Sequence, residues 1–212
     1  MSKAHLEAEK RAILRTALAH VPFDGWTART LELAVSDAGF EPSLGLRAFP
    51  GGAVELLSFF IAEADRQMLE ALEQRDLKRL KIRERIALAI RLRLEAEAPH
   101  KEAVRRALAL LALPQNAPLA LKSLYRTVDS IWYAVGDTAT DFSFYSKRML
   151  LAGVYSATVV YWLDDKSEGH ARTWTFLDRR IEDVMRIQKL RGRLGEIAAR
   201  LPDPMQFFRR RA

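Results

Sequence analysis

The chain has 212 residues, 49% of them apolar and 29% charged, which is a folded chain of one mid-sized domain, or one small domain with an appendage, and not a disordered one. It has no cysteine, which excludes disulfides, thiolate metal sites, iron–sulfur ligation and cysteine nucleophiles; its four histidines (His5, His20, His100, His170) are too far apart for a local metal motif. The net charge is +7, which favours an anionic partner, but from Arg179 onward ten basic residues stand against four acidic ones, so the excess belongs to the tail.

Helical periodicity runs through nearly every segment and no alternating strand appears, so the fold class read from the pattern is all-α, with nine or ten helices. Leu6, Ile13, Leu14, Ala17 and Val21 share the first helix, which should stop near Pro22. Thr27 caps a second, with Leu31, Ala34, Val35 and Ala38 on one face and Gly39 at its end. Ser43 opens a short third helix, closed at Phe49-Pro50-Gly51-Gly52. Two long amphipathic helices follow, near Val54–Arg75 and Lys78–Ala98, then a shorter one near Lys101–Leu113. The proline-free stretch between Pro118 and Pro202 holds three long helices, Leu119–Val135, Phe142–Leu163 and Ala171–Leu190. Gly192 and Gly195 should loosen the join to a last helix ending near Pro202.

Residues 27–57 carry a helix-turn-helix pattern: Ala34 and Ala38 allow a close crossing, Gly39 turns, and Leu46 and Phe49 should anchor the third helix. The pattern resembles the N-terminal domain of TetR-type regulators. As a DNA reader it is poor. The third helix offers one cation, Arg47; Leu46 stands where a Tyr is usual, and Gly51-Gly52 where a Lys is usual. Residues 1–60 hold six basic and seven acidic residues, a weak counterion-release surface. A retained fold without the reading function is the better account, and nucleic acid is not expected as a partner.

The central segment, Asp129 to Met149, puts Leu124, Val128, Ile131 and Val135 on one helical stripe and Asp129, Trp132, Tyr133 and Gly136 on another. Thr140 or Asp141 can cap the next helix, which opens with Phe144, Tyr145, Lys147 and Arg148. Asp129, Asp137 and Asp141 read either as catalytic carboxylates or as caps and ion-pair partners of Lys147 and Arg148; no nucleophile–base pair or phosphate loop supports an enzyme, so no catalytic or metal residue is named. The following helix is apolar almost all round, as expected of a central element or a cavity wall, and Gly153, Ser156 and Ala157 leave room for a neighbouring helix or a ligand.

The run W-Y-A-V-G-D-T-A-T-D-F-S-F-Y-S-K-R-M-L-L-A-G-V-Y, followed by Trp174-Thr-Phe-Leu-Asp-Arg-Arg-Ile, resembles the signature of the coenzyme Q biosynthesis protein family numbered nine (Coq-nine), and the likeness covers most of the chain. The resemblance implies a TetR-like homodimer and a non-enzymatic role without cofactor. It implies an isoprenoid lipid or ubiquinone precursor held internally and presented to a partner hydroxylase of the ubiquinone pathway. The partner-facing patch it implies falls on Asp129, Ile131, Phe144 and Tyr145, with Phe144 where the family often has Trp; the implied lipid lining is Trp132, Met149, Leu150, Gly153, Val154, Ala157 and Tyr161. A TetR-type regulator with an apolar effector is the alternative.

The tail combines an apolar stripe with basic flanks, the pattern of a helix lying on an anionic bilayer. Its membrane candidates are Leu190, Leu194, Ile197 and Leu201, with Phe207 and Phe208 beyond. A solvated helix packed on a dimer mate fits the same pattern; the resemblance implies membrane contact. The first ten residues are mixed in charge and have no apolar run, as in a chain without a signal or transit peptide, and the longest uncharged stretch, Met149–Leu163, is shorter than a span of about 20 residues. The expected location is cytoplasmic and peripheral to a membrane. The expected organisation is a helix-turn-helix subdomain over 1–52, a lipid-binding and dimerisation domain over 53–191, and a basic amphipathic end over 192–212.

Overall fold

The computed structural model describes the backbone of residues 3–136 and 142–200 and the side chains of residues 4–136 and 145–186. Among the described residues there are nine α-helices and no strand. They are α1 (Lys3–Asp24), α2 (Ala28–Asp37), α3 (Pro42–Ala48), α4 (Gly52–Glu73), α5 (Ile82–Ala96), α6 (Lys101–Leu111), α7 (Ala117–Ala134), α8 (Phe142–Asp164) and α9 (Ala171–Arg200).

Local chemistry sets the boundaries. Thr27 caps α2, its hydroxyl accepting from the Thr30 amide at 3.2 Å. Gly39 ends that helix at φ +74°, a left-handed conformation that costs glycine little. Two expectations are corrected here. Pro22 lies inside α1, which continues to Asp24. α9 runs unbroken through Gly192 and Gly195 to Arg200. Each interior glycine costs about 1 kcal/mol against alanine and does not break the helix here.

The expected anchoring of the third helix holds for Phe49 and fails for Leu46. Leu44, Ala48 and Phe49 are buried, whereas Leu46 is 75% exposed. The register follows from α2: a Cβ on Gly45 would meet Val35 Cγ2 at 2.8 Å, so only glycine allows this approach, and it turns the Leu44/Ala48 stripe inward.

Two apolar cores result. The first joins α1–α4 with one face of α6 through Ile13, Val21, Trp26, Val35, Leu57 and Phe60. The second joins the later part of α4 with α5, α7, α8 and α9 through Met68, Ile90, Leu94, Ile131, Trp162 and Leu177. Helix α4 contributes to both, so the front subdomain is packed onto the rest. Trp26 Nε1 donates to the Ala103 carbonyl at 3.1 Å across that junction.

A buried ion cluster sits on the inner side of α4. Asp65 accepts from Arg93 Nε at 2.9 Å, Thr127 Oγ1 at 2.8 Å and Arg126 Nε at 3.2 Å, tying α4 to α5 and α7. The end of α8 is held from α6. Lys101 Nζ donates to the carbonyls of Trp162 (2.8 Å) and Asp165 (2.9 Å), placing a cation at a helix C-terminus, the favourable end of its dipole. Asp165 then organises the turn into α9. Burial alone would raise its pKa, but hydrogen bonds from the hydroxyls and amides of Ser167 and Thr173 outweigh it and hold the carboxyl well below the usual range.

Candidate functional site: an apolar chamber beside Trp132

The C-terminal part of α7, the start of α8, the start of α5 and α9 enclose a cavity of about 540 Å³. This lies within the roughly 300–1,000 Å³ of ligand pockets. Buried Ile86, Trp132, Leu151 and Val154 form its depth, with Leu150, Ile181 and Val184 along the wall. Ile82 (53% exposed) and Met185 (39% exposed) stand at its mouth. Lys81, Arg83 and Lys147 also line it, so an apolar interior opens through a cationic rim. A second depression between α5 and α9 shares Arg83, Ile181 and Met185 and continues the opening.

One polar atom of the wall is left unpaired. Trp132 is 8% exposed and its indole Nε1 has no hydrogen-bond partner among the described residues. A buried donor without an acceptor costs about 1–3 kcal/mol. Lys147 Nζ stands over the Trp132 ring, 5.7 Å from its centre, and adds positive potential on the same side.

The expected lipid lining is divided by the structure. Trp132, Leu150 and Val154 meet at this chamber. Met149, Gly153, Ala157 and Tyr161 lie on the outer surface of α8 instead; Met149 is 74% exposed and a Cβ on Gly153 would meet nothing within 4 Å. Helix α8 is therefore two-sided: Leu151, Tyr155, Val159 and Trp162 pack inward, while Met149, Val160 and Tyr161 leave apolar surface outside, where Tyr161 stacks on Phe176 at 4.5 Å.

The expected partner patch is divided as well. Asp129 pairs with Arg148, Nε to Oδ1 at 2.8 Å, and ties α7 to α8, which is the ion-pair reading of this carboxylate. Tyr145 is 66% exposed, and Tyr133, one turn beyond Asp129 on α7, is 81% exposed. Ile131 is fully buried in the second core and offers no surface, a correction to its place in the patch. The Phe144 side chain, Asp137, Thr140 and Asp141 lie outside the described residues. The membrane candidates do so too: Leu190, Leu194 and Ile197 have only their backbone described, in α9, and Leu201, Phe207 and Phe208 fall beyond it.

Among the described residues no group of three His, Asp or Glu side chains could hold a metal ion. No single described helix is long and apolar enough to cross a membrane. One bent pair, α3 with α4 across a 63° break, meets the length and composition of a span, but Leu44, Leu56, Leu57 and Phe60 in it face the protein's own core.

Sequence reasoning missed a second, smaller cavity, between α4, α5, α6, α7 and α8. Its signal was present: Arg93 and Glu97 continue the buried Ile86–Ile90 stripe of α5 with charged residues, which are rarely buried without a reason.

Comparisons with known proteins place this geometry in context. Residues 117–188, which contain most of the chamber wall, match the COQ9 family model. The ubiquinone biosynthesis protein COQ9, mitochondrial, of Drosophila melanogaster is 38% identical over 192 residues, 89% of this chain and 59% of that protein. The probable ubiquinone biosynthesis protein of Dictyostelium discoideum is 32% identical over 88% of this chain and 63% of its own length. The human COQ9 protein is 31% identical over 84% of this chain and 58% of its own length. The chain thus spans about three fifths of the length of these curated relatives. Among solved structures, a TetR transcriptional regulator from Nitrosomonas europaea superposes with a TM-score of 0.68, covering 82% of this chain and 95% of the regulator at 23% identity, which shows a TetR-like fold.

Proposed function

Starting from the relationship of this chain to the COQ9 ubiquinone biosynthesis proteins, we propose that it is a non-enzymatic accessory protein of ubiquinone biosynthesis that holds an isoprenoid quinone precursor in the Trp132 chamber. The carrying observation is the apolar chamber with its cationic rim, walled largely by residues of the segment that matches the family model. The quinone ring would rest against the Trp132 side chain while the tail lies along Leu150, Leu151, Val154 and Val184. The physical task is transfer. Each tail methylene withdrawn from a bilayer into water costs about 0.8 kcal/mol, so a chamber that shelters part of the tail lowers the cost of carrying the ring to an active site.

The surface around the chamber suits this task. Tyr133 and Tyr145 offer exposed aromatic surface next to the Asp129–Arg148 pair, the kind of anchor a partner hydroxylase would grip. The outer α8 face, with Met149, Gly153, Ala157 and Val160, is apolar surface that fits a second copy in a homodimer. The basic amphipathic tail, with Leu190, Leu194, Ile197, Leu201, Phe207 and Phe208, would rest on anionic lipid.

The alternative, a DNA-binding regulator, is weakened by the third helix. It exposes Leu46 and carries Arg47 as its one cation. The deciding experiment is organic extraction of the gently purified full chain, followed by mass spectrometry. An isoprenoid present in the wild type and depleted in Val154→Trp, which fills the chamber, supports the reading. Isoprenoid retained at equal occupancy in that variant refutes the chamber as its seat.

A further inference from the structure

A stack of rings lies at the end of the bundle, where the chain turns from α8 into α9. The backbone of that turn is unusual: Gly169 and His170 are both left-handed, at φ +57° and +59°. Glycine adopts this conformation at little cost, whereas a residue with a side chain persists in it where its surroundings over-determine it. The His170 ring is held in that way. It stacks on Trp162 of α8 at 5.9 Å between ring centres and on Trp174 of α9 at 6.3 Å, each at 27°. Trp174 Nε1 closes the turn by donating to the Gly169 carbonyl at 2.7 Å.

The charges around the stack favour a neutral ring. Lys101 of α6 stands 4.7 Å from the Trp162 ring centre and Arg91 of α5 stands 5.1 Å from that of Trp174, so both indoles already carry a cation. The two carboxylates that attract a proton to His170 are committed elsewhere. Glu95 accepts from Arg91 at 2.7 Å, and Asp165 accepts from the hydroxyls and amides of Ser167 and Thr173. Glu168 and Arg172, close to His170 in the chain, are exposed to solvent. His170 Nε2 is buried and has no hydrogen-bond partner among the described residues. A neutral ring can leave that nitrogen as a bare acceptor, but a protonated ring must place an N–H there. Burial, and then Lys101, hold the imidazole below its ordinary value of 6.5 against the attraction of Asp165 and Glu95.

The stack lies upstream of the chamber wall. Helix α9 supplies Ile181, Val184 and Met185 to that wall, beginning about two turns after Trp174. We propose that His170 is a proton-operated latch on α9. Neutral, it pins the start of the helix to α8 between Trp162 and Trp174; protonated, it leaves the stack, frees the start of α9 and loosens the wall of the Trp132 chamber. A ring that is harder to protonate inside the stack than outside it makes the latched state strongest above pH 6.5 and weaker as pH falls below that value.

The test is amide hydrogen exchange of the full chain at about pH 7.5 and about pH 5.5, on either side of the ordinary imidazole value, with rates corrected for their intrinsic pH dependence. In the wild type, protection over residues 171–180 is expected to fall several-fold at the lower pH while α4 keeps its own. His170→Phe keeps a flat ring without a titrating nitrogen, and its protection should be the same at both pH values. His170→Asn tolerates the left-handed backbone but lacks the ring, and should show the low protection at both. Constant wild-type protection would overturn the latch, and so would a fall in His170→Phe as large as that in the wild type. The coupling to the chamber rests on the quinone reading and has its own readout: affinity for a short-tailed ubiquinone analogue should fall with pH in the wild type and hold in His170→Phe. Unchanged wild-type affinity would overturn that coupling, whereas no binding at either pH would count against the quinone seat and leave the exchange result to decide the latch.

Discussion

Replacing Asp65 by alanine removes the acceptor at the centre of the buried cluster. Arg93, 6% exposed, would keep its charge without the carboxylate that now holds it, and breaking a buried pair in this way costs about 3–5 kcal/mol. The lost Thr127 hydrogen bond adds about 1 kcal/mol, whereas the Arg126 contact, from a side chain 36% exposed, adds little. Opposing these, Glu97 already attracts Arg93 and can ionise to take Asp65's place. A net loss of about 3–4 kcal/mol is expected, and about 2 kcal/mol for Asp65→Asn, which keeps an acceptor for Thr127. Urea unfolding of the alanine variant should show this as a lower midpoint with an unchanged slope. A loss below about 1 kcal/mol would refute the view that this cluster locks α4 to α5 and α7.

Burial pushes the Glu97 carboxyl up to about 7, against the attraction of Arg93. Its folded-state pKa thus lies above its ordinary value of 4.5, so its stabilising effect is complete below that value and is lost as pH rises to about 7. The loss should approach 3 kcal/mol by the conversion of pKa shift to free energy, and Glu97→Gln should flatten the unfolding midpoint across this window; an unchanged slope in the variant would contradict the assignment. Tyr145→Ala should lose co-purification of a partner hydroxylase while circular dichroism stays helical, and intact co-purification would remove Tyr145 from the patch. Leu194→Glu with Ile197→Glu should abolish most sedimentation with anionic vesicles, and unchanged sedimentation would refute the membrane role of the tail.

Much of the fold is legible in the sequence because the helix limits are local. Thr27, Gly39, Pro99 and Pro114 act through caps and missing amides within a few residues of their own position. Where competing stripes are equally apolar, locality fails. In the seven residues of α3, Leu44 and Leu46 both offer an apolar anchor, and the approach of Gly45 to Val35 turns Leu44 inward. Helix α8 is apolar on all sides, so its periodicity does not tell the inward Val154 from the outward Met149. The chambers depend on four and five helices and on gaps between them, which no spacing along one helix encodes. Glu97 and Ser123 still leave a trace, as polar residues on otherwise apolar stripes.

The indole N–H of Trp132 gives the most direct test of the central claim. Its resonance, assigned by its disappearance in Trp132→Phe, should shift and saturate at one equivalent when a short-tailed ubiquinone analogue is added to the full chain, because the Trp132 side chain lines the chamber. An unmoved resonance at saturating ligand would contradict the chamber as the quinone site.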